Sequence, residues 1–224
     1  MSSSRWGVRR TPAVFLCLLV LLVGCVNVNV QPILRPTEPG PGWKVYVMTG
    51  ARLSIALPDV WDAIELASNA SPSPFNPRVD PALATQLSPV VGDLRQRGAR
   101  IFAYDPTTPL ARVNPRPFPA LLYVNPAVRT DQTLDAIAAS FPAEGSGRTF
   151  VDMRRSTGVS GDRLIRRVRE TRVRPDASFE IAIQYFVVTI RGGFSHGLVM
   201  QIPEEDQGLY EATLDNIADS FAPF

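Results

Sequence analysis

The chain has 224 residues, 45% of them apolar and 20% charged, a balance that excludes a disordered polymer and provides for one folded core. Three of the positive charges behind its formal charge of +2 are Arg5, Arg9 and Arg10 at the N-terminus, and without them no overall basic field remains to hold nucleic acid. The two cysteines, Cys17 and Cys25, lie near the N-terminus. Disulfides, thiolate catalysis, zinc–thiolate sites and iron–sulfur clusters are therefore excluded from the sequence beyond them.

At the N-terminus, Arg5, Arg9 and Arg10 precede an apolar run, Ala13–Val23, that ends in Leu22, Val23, Gly24 and Cys25. Charge, length and small residue are those of a signal peptide over residues 1–24, and the run is short for a bilayer span. The tetrapeptide resembles the lipobox of bacterial lipoproteins. That resemblance implies cleavage before Cys25, a diacylglycerol on its sulfur and acylation of the new N-terminus, as with palmitate. It also implies a lipid-anchored location on the extracytoplasmic face of a bacterial cell membrane. Loss of three arginines with no acidic residue takes the charge from +2 to −1. Residues 25–42 then read as the lipidated cysteine and a tether, because Val26–Gly42 holds four prolines. Extended at about 3 Å per residue, the tether reaches up to roughly 50 Å.

A single domain is expected over residues 43–224. Trp43–Met48 and Arg52–Leu57 predict a hairpin turning at Thr49 and Gly50, with Pro58 as its stop. Asp59, Val60 and Trp61 predict a corner, Ala63–Leu66 a short strand, and Ser68–Pro77 a loop. Leu83, Leu87, Val90, Val91 and Leu94 recur at helical spacing behind Asp80 and Pro81, with a break or kink expected at Pro89. Arg100–Tyr104 and Ala120–Val124 predict strands flanking a proline-rich connection. Thr130 or Asp131 is expected to cap a helix running to Phe141, with Leu134, Ile137, Ala138 and Phe141 in one stripe.

Four strands follow: Thr149–Arg154, Asp162–Val173, Phe179–Arg191 and Phe194–Ile202. Their short connections allow only antiparallel neighbours. A last helix over Asp206–Phe221 is expected to bury Tyr210, Leu214, Ile217 and Phe221. Residues Ile181–Ile190 are apolar on both faces, which calls for cover on both sides. The expected fold is α+β, an α/β/α sandwich around a mainly antiparallel sheet. One internal echo stands out: Thr133–Phe141 (TLDAIAASF) and Thr213–Phe221 (TLDNIADSF) agree at seven of nine positions. It reads as two similar solutions for a strand-following amphipathic helix, with duplication as the alternative.

The early hairpin, Leu57-Pro58-Asp59-Val60-Trp61, the long terminal hairpin and the closing Ile217–Phe221 together resemble the PsbP-like family. That family spans the photosystem II extrinsic protein, a Ran-binding factor and LpqN-type lipoproteins. The resemblance covers Trp43–Phe224 and implies the same sandwich, in a family of adaptors and binding modules. Function does not transfer with a fold.

Candidate chemistry is sparse. His196 is the one histidine, and Ser195 beside it in a strand points to the opposite face, which argues against a Ser–His dyad. Glu204, Glu205 and Asp206 read as a favourable charge arrangement at a helix start rather than a metal site. Gly145–Arg148 reads as a turn. Arg154, Arg155, Arg163, Arg166, Arg167, Arg169, Arg172 and Arg174 crowd two strands. Arg163, Arg167 and Arg169 are the candidates for docking an anionic partner, an envelope protein or anionic polymer, with a charge-guarded sheet edge as the alternative. No catalytic residue, metal, cofactor or nucleic-acid partner is assigned. The expected function is a membrane-tethered, non-catalytic accessory module; the alternative is a carrier of an apolar small molecule or lipid held between sheet and helices.

Overall fold

The structure is a computed structural model, and it describes residues 36, 38–66, 80–107, 119–141, 145, 147–173 and 179–224. Cys25, the loop 68–77, Arg174 and most of the tether lie outside the described residues. Among the described residues, eleven strands and three α-helices build an α+β fold in which every paired strand is antiparallel.

The first hairpin is β1 (Trp43–Met48) and β2 (Leu53–Pro58), turned through Thr49–Arg52, where the Arg52 amide bonds the Thr49 carbonyl at 3.2 Å. This hairpin does not join the main sheet. It forms its own three-stranded sheet with β11 (Ala222–Pro223), in the order β1-β2-β11. The reason lies in β2, whose Leu53, Ser54, Ile55, Ala56 and Leu57 are all buried, so both of its faces need cover. The Trp61 amide bonds the Pro58 carbonyl in the expected corner, and β3 (Asp62–Glu65) starts the main sheet.

That eight-stranded sheet runs β3, β4 (Ile101–Tyr104), β5 (Leu121–Val124), β10 (Phe194–Pro203), β9 (Phe179–Arg191), β8 (Gly161–Val173) and β7 (Arg148–Gly158). The two-residue β6 (Val128–Arg129) adds to β10 beyond the end of β5. Neither β6 nor β11 was expected, since two residues carry no period.

One face of the sheet is closed by α3 (Gln207–Ser220), entered through a 3₁₀ turn at Glu204–Asp206, and by the β1-β2-β11 sheet. Leu53, Ile55, Leu57 and Trp61 meet Ile165, Tyr185, Val187, Leu198 and Met200 there, together with Leu214, Ile217 and Phe221. The other face carries α1 (Pro81–Gln96), whose Leu83, Leu87, Val91 and Leu94 pack on Phe102, Tyr104, Leu121 and Ala182. It also carries α2 (Leu134–Ser140).

Two helix expectations need correction. The break at Pro89 is absent: α1 is one helix through it, capped by Asp80 accepting from the Ala82 amide at 2.8 Å. Pro89 lies on the exposed side, opposite the four leucines and valines that hold the helix down. Packing on that stripe outweighs the hydrogen bond that proline cannot donate. α2 is shorter than expected because Thr133, not Thr130 or Asp131, is its cap: its hydroxyl accepts from the Ala136 amide at 3.2 Å. Thr130 instead closes a local turn onto the Gln132 amide.

Candidate functional site

The arginine strand is the first place to look. Register alternation puts Arg163, Arg167 and Arg169 of β8 on the α3 face, with Ile165 between them. They do not form one exposed surface. Arg163 is 1% exposed, and none of its guanidinium nitrogens makes a hydrogen bond; its nearest carboxylate is Asp219 at 3.9 Å. Burial pushes its pKa down, with Asp219 opposing. The guanidinium fills the space above Gly158, where a Cβ would fall 1.1 Å from Nη2.

Arg167 is clasped by Asp152, with Nε 2.8 and 2.9 Å from the two carboxylate oxygens, and also reaches Glu211. The hydrogen bond from Arg167 holds Asp152 below the usual carboxylate range, and Asp152 in turn raises Arg167. Arg169 makes a two-pronged contact with Glu204, at 2.5 Å from Nε and 3.0 Å from Nη2, which lowers the Glu204 pKa. Of the three candidate arginines, Arg163 is buried, while Arg167 and Arg169 are paired with carboxylates of the same domain. Arg163 is corrected from surface residue to core residue, because the β7–β8 turn and the end of α3 close over it.

The remaining described arginines of the set are engaged as well. Arg154 pairs with Asp215 and Arg155 with Asp135. Arg166 stacks over Phe141 at 4.8 Å and Phe150 at 5.8 Å. Arg172, together with Arg148, meets Glu170, which also accepts from Gln184. β8 is not an edge; β7 is, and it has a bulge between Phe150 and Asp152. The guard of a sheet edge by charge therefore falls on Arg154 and Arg155.

His196 faces the α3 side, where Arg100 Nη2 lies 3.3 Å from its Nδ1 and the Arg191 carbonyl accepts from the ring. Burial first, then Arg100, pushes its pKa down to about 4. Ser195 points to the other face and donates to the Val128 carbonyl at 3.3 Å. The two side chains do not meet. Glu204 is held by Arg169 and Asp206 is buried, so the acidic run faces two directions. Among the described residues no group of three or more His, Cys, Asp or Glu is placed to hold a metal, and no helix is long and apolar enough to cross a membrane. Gly145 and Arg148 exchange backbone bonds as a turn ahead of β7.

Sequence reasoning missed a groove of about 540 Å³ on the α1/α2 face. Val128, Ile137, Phe141 and Val188 supply its apolar wall, and Asn125, Ser140 and Ser195 its polar rim. A signal for it existed in β9. Residues 183, 185, 187 and 189 are buried on the α3 face, whereas Phe186, Val188 and Ile190 on the groove face are only half-buried. Apolar residues on both faces did call for cover on both; the described chain provides it fully on one.

No protein-family model matches the chain, and no curated protein matches it by sequence. Among solved structures it is similar to cyanobacterial PsbP from Synechocystis, at 12% identity over 84% of this chain and 96% of that one, with a TM-score of 0.45. It is also similar to LpqN of Mycobacterium tuberculosis, a protein involved in cell envelope biogenesis, at 11% identity over 84% and 88% and a TM-score of 0.41. The Ran-binding protein Mog1p of Saccharomyces cerevisiae shares 8% identity over 81% and 95%, with a TM-score of 0.43.

Proposed function

We propose that the chain is a lipid-tethered, extracytoplasmic interaction module that works through its surface and performs no catalysis. The observation that carries this reading is the filled interior. The space between the main sheet and α3 is occupied by side chains such as Tyr185, Met200, Leu214 and Phe221, and the space under α1 by Leu83, Leu87, Phe102 and Tyr104. A carrier needs a contiguous apolar cavity in one of those places. The groove beside α2 is open and lies outside both cores. The separation of Ser195 from His196 supports the non-catalytic part, and the lipobox at Cys25 supports the tether.

Crosslinking in native bacterial membranes tests the reading. The intact chain is expected to capture an envelope protein, and Cys25→Ala to lose both fatty-acid labelling and that capture. A stoichiometric lipid extracted from the purified folded domain would instead favour the carrier.

A further inference from the structure

The nine-residue echo reappears as two helix ends anchored alike on opposite faces of the main sheet. Leu134, Ile137, Ala138 and Phe141 of α2 correspond to Leu214, Ile217, Ala218 and Phe221 of α3. Successive arginines of β7 hold the two: Arg154 reaches Asp215 on one face and Arg155 reaches the equivalent Asp135 on the other. In both, the serine hydroxyl bonds back to the isoleucine carbonyl, Ser140 to Ile137 at 2.7 Å and Ser220 to Ile217 at 2.8 Å. Both helices stop on the phenylalanine in one conformation, φ −65° and ψ 130° at Phe141, φ −63° and ψ 112° at Phe221.

What lies over them differs. The α3 stripe is fully buried, and β2 crosses it closely enough for the Ala56 amide to donate to Ser220 Oγ at 2.9 Å. The α2 stripe is half-buried, Ser140 is exposed, and the groove opens beside it. Around it Val128 is 60%, Phe150 43% and Met153 41% exposed. Among the described residues no strand covers α2 as β2 covers α3. One copy of the same motif is finished; the other is open.

The geometry points to a docking site on α2 for an extended strand of a partner protein, laid across Ser140 as β2 is laid across Ser220. It rests on the interaction-module reading and gives that module's partner a chemistry. β2 itself supplies the pattern, Leu53-Ser54-Ile55-Ala56-Leu57, in which aliphatic side chains alternate with small ones. The small residue lets the incoming backbone reach the serine hydroxyl, and the aliphatic residues cover apolar surface. A charged or bulky residue at the Ala56 position does not fit that approach. The groove beside α2 sets Val128, Ile137, Phe141 and Val188 among polar and charged neighbours, Asn125, Arg129 and Asp131, the mixed lining that suits a protein contact.

The probe is a nine-residue peptide with the sequence of Ala51–Asp59, added to the full chain in detergent micelles with Ile, Leu and Val methyls labelled for NMR. Saturable shifts are expected at Val128, Ile137 and Val188. The affinity should fall at least tenfold in Ser140→Arg and stay unchanged in Leu209→Arg, a control on the 74% exposed outer side of α3. Ser140 is exposed, so an unchanged melting temperature will show that the variant folds. Absence of saturation at millimolar peptide, equal affinity in Ser140→Arg, or shifts centred on Leu214 and Ile217 overturns the site. Self-association of the chain that Ser140→Arg abolishes assigns the face to a second copy and overturns it too. If Ser140→Arg still captures the crosslinked envelope protein, the module reading stands and the α2 site fails. If neither form captures one, the module reading itself fails.

Discussion

At the scale of residues, two buried basic side chains, His196 and Arg163, decide most. His196 is neutral in the folded protein, with a pKa of about 4 against an ordinary 6.5, and faces Arg100, Arg191 and Arg52. As pH falls, the unfolded chain takes up the proton first, so stability present above pH 6.5 is lost progressively down to pH 4. Allowing for solvent screening, the loss from this group is about 1–2 kcal/mol. Thermal melts across that window should show the step in the wild type and its disappearance in His196→Gln; an unchanged step would assign it to other groups.

Arg163 supplies a second test. The buried guanidinium occupies the volume that a side chain at residue 158 would need, and the Gly158 backbone is not in the left-handed region. Gly158→Ala is therefore an overpacking change, expected to cost about 1–3 kcal/mol. In an Arg163→Ala background the same substitution should cost less than about 0.5 kcal/mol, measured by denaturant unfolding as a double-mutant cycle. Equal costs in the two backgrounds would show that the guanidinium is not what keeps residue 158 small.

At the scale of elements, the two echoed helices separate what a sequence motif specifies from what its surroundings add. Each presents Leu, Ile, Ala and Phe in one stripe, yet Phe221 is sealed beneath β2 while Phe141 rests half-open under Arg166. Phe221→Ala should cost about 3–5 kcal/mol, the range for emptying a closed core site. Phe141→Ala should cost below about 1.5 kcal/mol, because water already reaches the site and little cavity is created. Similar losses from the two, measured by chemical denaturation, would mean that α2 is covered as fully as α3. α1 teaches a related point: its proline is tolerated because the apolar stripe lies on the other side of the helix.

At the scale of the whole molecule, the folded domain and the anchor are expected to be independent. Among the described residues the two hydrophobic clusters begin at β1, and ahead of it only Pro36 is buried. Cys25→Ala should therefore move the chain out of the membrane fraction without changing its melting temperature; a lowered melting temperature would mean that the lipidated segment packs on the domain. The described arginines of β7 and β8 each meet a carboxylate, an aromatic ring or the interior.

The sequence by itself determined the antiparallel strands of the last third, their turns at Val159–Ser160 and Gly192–Gly193, and the apolar stripe of α3. Those are local properties, written in period, glycine placement and short spacing. Only the tertiary structure decided that the first hairpin leaves the main sheet, that Pro89 stays inside a helix and that Arg163 is buried while Arg167 and Arg169 are paired. It also decided that two nearly identical helix ends have different fates. Each depends on which surface arrives from a distant part of the chain: β2 comes back over α3 and, among the described residues, no strand comes back over α2. Burial and pairing are set by that arrival, and no local pattern encodes it.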